Sequence, residues 1–320
     1  MSHQICVIVP CCNVEKVLKR CVESILKQTM PVDVLLVNDG STDGTLRIAE
    51  EYATKYPNVR VVSKKNAGLP QARKTGLENT DAEYVGFVDA DDWVEPDMYE
   101  QLFKAVLHNG TDIGCSNFFY STDQGKNTSG WKADNRSGVI DAGDALHLIH
   151  TRKAVFPFLC NKLFKRSLFR YTVFPTGNFV GEDYATILPL MHHVKEISVI
   201  EKPLYHYWQV VGSMSKGGFG ASHKKAFCSY YRFEKQARTM PKAYQKDVVC
   251  YVAVEYMSFL IAMRRNGNHD QKMERYIVHF IRHHLVKICF SEINLKYKIS
   301  ALACAVSSKL LGKMYEICMG

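Results

Sequence analysis

The sequence predicts an α/β protein: a mainly parallel sheet flanked by helices, followed by a helical appendage. Three observations carry this. Apolar runs alternate with amphipathic helical patterns along residues 4–88, and the resulting β-α-β-α-β-α-β order is the one a parallel sheet with helices on both faces requires. The runs stop at Pro, Asn-Asp or Asp-rich turns, so their polar ends fall at the carboxyl edge where open α/β sheets bind ligands. The last third of the chain loses the alternation and reads as helices alone.

In chain order, residues 4–9 are a buried-strand run ending at Pro10. Val14, Val17, Leu18, Cys21, Val22, Ile25 and Leu26 recur at helical spacing and predict an amphipathic helix. Residues 33–38 form the second strand. It breaks at Asp39-Gly40-Ser41-Thr42-Asp43-Gly44, a loop rich in helix-capping residues. Leu46, Ala49, Tyr52, Ala53 and Tyr56 mark the next helix, residues 59–62 the third strand and residues 69–77 a short helix. Residues 84–88 are the fourth strand, which ends in Asp89-Ala90-Asp91-Asp92-Trp93. Residues i and i+2 of a strand point to the same side, so Asp89 and Asp91 are expected to converge. Two hard oxygen ligands there suit Mg²⁺ or Mn²⁺ held against phosphates. An acidic turn capping a helix at Pro96-Asp97 is the alternative. Neither G-x-G-x-x-G nor G-x-x-x-x-G-K-[ST] occurs, which excludes those two nucleotide-binding fingerprints.

Five strings stand in order: Val9-Pro10-Cys11-Cys12-Asn13; Val37-Asn38-Asp39-Gly40-Ser41-Thr42-Asp43; Asn66-Ala67-Gly68-Leu69 with Ala72-Arg73; Asp89-Ala90-Asp91-Asp92; and Gly181-Glu182-Asp183. Over about two thirds of the chain, their order and spacing resemble the family 2 glycosyltransferases of the GT-A fold. Strings at 161–166, 202–207 and 212–215 are similar to that family as well. The resemblance implies a GT-A nucleotide-diphospho-sugar transferase. It would be inverting and metal-dependent, moving a sugar from a nucleotide-sugar donor, a UDP-sugar, to a hydroxyl of a glycan or lipid-linked acceptor in surface polysaccharide biosynthesis. By the same resemblance Pro10 and Asn13 shape the first loop around the nucleotide, and Asp39 accepts from the uracil imide, which needs an acceptor-only partner. Arg73, one helical turn past Gly68 in the string that begins at Asn66, approaches the diphosphate. Asp89, beside Ala90, contacts the ribose and supports the metal site, while Asp91 is the direct Mn²⁺ or Mg²⁺ ligand. Glu182 contacts the donor sugar, Asp183 is the general base, and Ser213 donates to sugar or phosphate. His206 is either a third metal ligand or a histidine packed between two tyrosines. Each role has a plain alternative: a loop cap for Asp39, a solvated helix charge for Arg73, helix-start carboxylates for Glu182 and Asp183. The sequence departs from the family at Cys12, where an aromatic residue usually stacks on the base.

The 320 residues, 47% hydrophobic and 23% charged, have globular composition. Eleven cysteines without any C-x-x-C read as reduced core thiols. Met1-Ser2-His3-Gln4 leads directly into the first strand, so a cytoplasmic location, peripheral on the inner face of the cell membrane, is expected. The paired histidines at 147/150, 192/193 and 283/284 lack partner cysteines at zinc spacing. Residues 121–138, around Trp131, read as a loop or short ribbon beside an acceptor cleft. The expected organisation is a catalytic domain over 1–215 and a basic helical region over 216–320. Residues 221–320 hold 17 Lys and Arg against 7 Asp and Glu, a net of +10, while the remainder nets −1. Helices are expected over 246–265 and 273–290, with a break at Gly267-Asn268. The tail, 297–317, suits either a basic amphipathic helix on an anionic membrane or an appendage packed on the core. Nucleic acid is not an expected partner, since no binding module is present. Two other classes stay open. A nucleotidyltransferase needs a Gly-rich loop after the first strand, and Pro10-Cys11-Cys12-Asn13-Val14-Glu15 has no glycine. A non-catalytic membrane-associated scaffold on the same fold would have little use for intact Asp39, Asp89, Asp91 and Asp183.

Overall fold

Ile5–Cys11 (β1) runs through the parallel half of a ten-stranded mixed sheet. The structure, a computed structural model, describes residues 3–122, 127–130, 137–176, 181–208, 220–237, 242–265 and 270–319. After β1 come Leu18–Leu26 (α1), Asp33–Asp39 (β2), Thr45–Lys55 (α2), Val59–Lys64 (β3), Leu69–Glu78 (α3) and Tyr84–Phe87 (β4). Then follow Trp93–Val94 (β5), Met98–Asn109 (α4), Ile113–Ser121 (β6), Asn127–Ser129 (β7), Gly138–Asp141 (β8), Ala142–Thr151 (α5) and Lys162–Lys165 (β9). A 3-10 turn at Arg166–Tyr171 leads to Glu182–Met191 (α6) and Glu196–Trp208 (β10). The sheet order is β3-β2-β1-β4-β9-β6-β10-β5, with β7 on β6 and β8 on β10.

The expected β-α alternation forms the parallel half, β3-β2-β1-β4. The other half is mixed: β9 runs antiparallel between β4 and β6, and β10 runs parallel to β6 but antiparallel to β5. Every residue of β1 is buried, as a central strand covered on both faces demands. The strand continues through Pro10, beyond the expected end. A proline lacks the ladder N–H, but pairing with β4 has already stopped at Ile8↔Phe87, so no bond is lost on that side. Helix α1 starts later than its apolar pattern suggests; residues 14–17 are a turn closed by the Val17 and Leu18 amides on the Val14 carbonyl. Helix α3 lies close on β1, since a Cβ at Gly76 would come within 2.3 Å of Ile8 Cγ2. Residues 121–138 contain β7 and the approach to β8, so the expected ribbon is partly regular; Trp131 lies outside the described residues.

The chain divides into two compact units, residues 1–145 with 157–210, and residues 146–156 with 211–320. The second holds Ala221–Ala237 (α7), Lys242–Arg265 (α8), Gln271–Cys289 (α9), Leu295–Val306 (α10) and Ser308–Met319 (α11). Its core is aromatic and aliphatic, with Val252, Tyr256, Phe259, Ile277 and Phe280 buried. The inserted segment is tied in by charge: His147 Nδ1 lies 2.8 Å from Asp247, Lys153 Nζ 2.6 Å from Glu292, and Arg152 pairs with Glu255. The tail departs from the single helix expected over 297–317. It is two helices, broken at Ser307, whose backbone is extended. The expected break at Gly267-Asn268 lies outside the described residues. Among the described residues no helix is long and apolar enough to cross a membrane.

Candidate functional site

The first unit gathers its charged motifs at the carboxyl ends of β2 and β4. Asp39, the last residue of β2, is buried. Its Oδ1 accepts from Lys64 Nζ at 2.7 Å and from the Ala67 amide at 3.0 Å, and its Oδ2 accepts from the Gly68 amide at 2.8 Å. The carboxylate thus holds the turn that opens α3. Gly68 takes φ +92° there, a value that only glycine adopts cheaply. Gly40 has a similar reason, with φ +69° and the Asn66 amide nitrogen 2.7 Å from where a Cβ would stand. Asn66 Nδ2 donates to the Asp39 carbonyl at 2.9 Å and to Cys12 Sγ at 3.2 Å, so the loops after β1 and β3 meet. Asn13, at φ 54°, accepts from the Thr42 amide at 2.8 Å. Asn13, Asp39, Asn66 and Gly68 therefore form one connected rim, while Pro10 stands in β1 in register with Val37 of β2.

Beyond β4 the chain turns at Asp89-Ala90-Asp91-Asp92, with the Asp92 amide donating to the Asp89 carbonyl at 2.9 Å. The three carboxylates meet different fates. Asp89 Oδ1 accepts from Arg73 Nη2 at 2.9 Å. Asp92 is buried and accepts from the Tyr205 hydroxyl at 2.5 Å and the Trp208 amide at 2.8 Å. Burial, then Asp91 and Asp89, push the Asp92 carboxyl well above the usual range. Asp91 is pushed up to about 6, first by burial and then by the charge of Asp89. Its carbonyl accepts from Arg20 Nη2 at 2.7 Å, and the Arg20 guanidinium lies over the Trp93 and Trp208 rings at 4.0 and 4.4 Å. Arg20 also lines a groove of about 550 Å³ with Lys16, Lys19, Lys27 and Trp93.

Arg73, expected to approach a diphosphate, lies between two carboxylates. Its guanidinium is 1% exposed and faces inward, with Nη1 on Asp183 Oδ1 at 2.5 Å and Nη2 on Asp89. One buried cation therefore joins the D-x-D-D turn to the Gly181-Glu182-Asp183 string. Desolvation pulls its affinity for the proton down, but Asp183 and then Asp89 push it above the ordinary value, so it stays charged. Gly181 is left-handed at φ 87° and starts α6, which puts Glu182 and Asp183 in the first turn. Burial raises the Asp183 carboxyl against the pull of Arg73. Burial and then the charge of Asp183 push Glu182 up to about 7.

His206, expected either as a third metal ligand or as a packed histidine, has a partner at each ring nitrogen. Its Nδ1 is 2.9 Å from Ser121 Oγ and its Nε2 is 2.7 Å from Glu95 Oε1, and its ring stacks on Trp93 at 4.8 Å. A neutral imidazole has one donor and one acceptor nitrogen, and both meet partners here. No group of three or more His, Cys, Asp or Glu side chains that could hold a metal is assembled among the described residues. Asp89 and Asp91 still fit a hard divalent cation. They are oxygen donors whose mutual repulsion raises Asp91, and Mg²⁺ and Mn²⁺ sites commonly use one or two carboxylates with substrate phosphates and water. Ser213 lies outside the described residues. Sequence reasoning assigned no part to Tyr205, whose hydroxyl accepts from the Asp89 amide at 3.3 Å while donating to Asp92. It also assigned none to Lys162, buried with Nζ 2.7 Å from Asn161 Oδ1 and from the Phe158 carbonyl. Both lie inside the strings at 202–207 and 161–166, which was the available signal.

The sequence profile of Glycosyl transferase family 2 matches residues 6–172. Glycosyltransferase GlyA of Streptococcus pneumoniae is 32% identical over 223 residues, 68% of this chain and 32% of that protein. The uncharacterized glycosyltransferase EpsJ of Bacillus subtilis is 27% identical over 274 residues, 82% of this chain and 78% of that one. The chain thus spans about a third of GlyA and over three quarters of EpsJ. The fold resembles S. aureus TarS 1–349 solved with UDP-GlcNAc, with a TM-score of 0.73, 19% identity and coverage of 99% of this chain and 92% of that one. At this identity the likeness shows a shared fold.

Proposed function

This chain belongs to glycosyl transferase family 2, and we propose that it moves a sugar, with inversion, from a UDP-sugar to a hydroxyl of a glycan or lipid-linked acceptor. The setting is surface polysaccharide synthesis, such as capsule or exopolysaccharide. One observation carries the reading: Arg73 brings Asp89 and Asp183, far apart in sequence, to a single buried guanidinium. The donor-side turn and the candidate base are thereby fixed relative to each other, as a displacement at one carbon requires.

In this mechanism Asp39 accepts from the uracil imide while holding the Ala67–Gly68 turn, and Asn13 and Pro10 shape the wall of the nucleotide site. Asp91 and Asp89 would hold Mn²⁺ or Mg²⁺, which when bound offsets the charge of the departing nucleoside diphosphate. Asp183 takes the proton of the attacking hydroxyl. Arg73 ties down its Oδ1 and so orients it, and burial raises its proton affinity, two conditions of a positioned base. Glu182 contacts the donor sugar. A base opposite the leaving group gives inversion. The site is proposed to work in the cytoplasm at the inner face of the membrane. The net +10 of residues 221–320 supports contact with anionic lipid, where a lipid-linked acceptor would reside.

The test is release of nucleoside diphosphate from a panel of nucleotide sugars, with Mn²⁺ or Mg²⁺ present. Release from a UDP-sugar, lost in Asp183→Asn and Asp91→Ala, is the expected outcome. A clear preference for guanosine or thymidine donors would count against the uridine assignment, and no release from any donor against the reading as a whole.

A further inference from the structure

Helix α10 is amphipathic in the wrong sense for a helix that only packs on a core. Its buried residues are small: Ala301, Ala303 and Cys304. Its large aliphatics point to solvent, with Leu295 68%, Ile299 44%, Leu302 48% and Val306 71% exposed. Spacings of four, three and four residues place these side chains within one narrow stripe. The small inward face permits close approach to α9, whose Arg282 Nε donates to the Ala305 carbonyl at 2.7 Å. The outward stripe has no such function. Val286 and Phe290, at the end of α9, and Leu310 in α11 are exposed too. Of the large apolar residues exposed among the described residues, most fall between 286 and 310. Patches of this kind mark interaction surfaces.

The charges around the stripe identify the partner. Lys296 and Lys298 lie on α10 to either side of the stripe, and Lys287, Lys309 and Lys313 lie in the flanking helices. Residues 286–313 hold these five lysines against one acid, Glu292, which pairs with Lys153. Aliphatics bordered by lysines suit a helix lying in the plane of an anionic bilayer, apolar side down and ammonium groups at the phosphates. At 12 residues, α10 is ~18 Å long, too short to span a hydrocarbon core of about 30 Å.

We propose that the outward face of α10, continued by Val286 and Phe290, is an in-plane docking surface for anionic lipid. This deepens the membrane contact proposed above and rests on it for its occupant. It narrows the contact from the whole basic tail to one stripe whose apolar residues do the anchoring and whose lysines select the lipid charge.

The full chain is tested by flotation with vesicles of phosphatidylcholine alone and of phosphatidylcholine mixed with phosphatidylglycerol. The fourfold variant Leu295→Ser, Ile299→Ser, Leu302→Ser, Val306→Ser should lose binding to the mixed vesicles by at least ~10⁴-fold, since each of the four buried aliphatic side chains contributes about 1.5–3 kcal/mol. Lys296→Gln with Lys298→Gln should weaken it about 25-fold, from roughly 1 kcal/mol per basic residue near the surface. The single variant Leu302→Trp, which leaves the rest of the stripe in place, should shift its emission to the blue on adding mixed vesicles. Nucleoside diphosphate release by the fourfold variant from donor alone should match the parent, so a failure of the transferase reading and of the docking reading are seen separately. Undiminished flotation of the fourfold variant, or an unshifted emission from the Leu302→Trp variant, overturns the proposal. So does a parent dimer, seen by light scattering, that the fourfold variant converts to monomer without change in flotation, for then a second copy covers the stripe.

Discussion

Replacing Arg73 by methionine keeps most of the side chain's length and removes its charge. Arg73 is 1% exposed, and its two partners are 26% and 17% exposed at the side chain, at 2.9 and 2.5 Å. Removing one member of a buried ion pair costs about 3–5 kcal/mol, because the carboxylates left behind stay desolvated without a counter-charge. For a unit of about 200 residues, each kcal/mol lowers Tm by roughly 2–4 °C, which gives a drop of about 6–20 °C at pH 8. The pH dependence carries the diagnostic sign. Burial already raises the Asp183 carboxyl against the pull of the guanidinium, and without that pull it rises further above the unfolded value of about 3.9. A raised acid costs stability above its unfolded pKa, and the cost fades as pH falls through the raised value. The gap between parent and variant should therefore be wide at pH 8 and narrow toward pH 5. Asp89→Asn added to Arg73→Met should recover part of the loss. Calorimetric melts across this range decide the matter. A variant melting within a degree or two of the parent at pH 8, or a gap that does not narrow with acid, would show that the bridge does not hold the site together.

Glu182, pushed up to about 7 by burial and by Asp183, should make the parent lose stability as pH rises from about 4.5 toward 7, since the unfolded chain ionises first; Glu182→Gln should flatten that slope, and parallel melting curves would contradict it. Chelator should abolish transfer and Mn²⁺ restore it, with Asp91→Asn insensitive to the restoration; full turnover in excess chelator removes the metal from the mechanism. Asp183→Asn should lower kcat by about 10²–10⁴-fold with donor affinity little changed, and NMR of the parent's product should show the inverted anomer. Asp39→Ala should weaken UDP binding in calorimetric titration and also lower Tm, because the same carboxylate holds Lys64 and the turn into α3; lost affinity with an unchanged Tm would mean that turn stands without it.

Much of the first unit was legible because its signals are local. The apolar runs at β1, β2, β3 and β4 and the helical spacing of Val22 and Ile25 are short-range patterns, and their alternation fixes the parallel half of the sheet. The places of β5, β9 and β10 were not legible, since pairing with strands distant in sequence leaves no periodic mark. Asp89 and Asp91 were recognisable as a pair, yet their different surroundings depend on Tyr205, Trp208 and Arg73 from other elements. Arg73 was expected at a diphosphate, with a solvated helix charge as the alternative; its two carboxylate partners, at 89 and 183, are too far apart in sequence to have been read from its own string. The partners of His206, Ser121 and Glu95, are remote in sequence, so neither contact could be read from the string at 202–207. In α10, apolar periodicity alone favours Leu295, Ile299, Leu302 and Val306 as the buried stripe, and only the packing of Ala301 and Cys304 reverses it.

The Arg73 bridge also bears on the order in which the chain is made. Arg73 and Asp89 leave the ribosome early and can pair across 16 positions, whereas Asp183 follows 110 positions after the arginine. Until then the guanidinium has one carboxylate in place of two, and β9, which fills the sheet between β4 and β6, has only just emerged. A nascent chain paused ahead of α6 would hold Arg73 against Asp89 alone, one cation to one carboxylate. Synthesis of the sixth helix brings a second carboxylate to the same guanidinium, so the step that completes the proposed catalytic set also takes the cluster from one charge of each sign to an excess of negative charge.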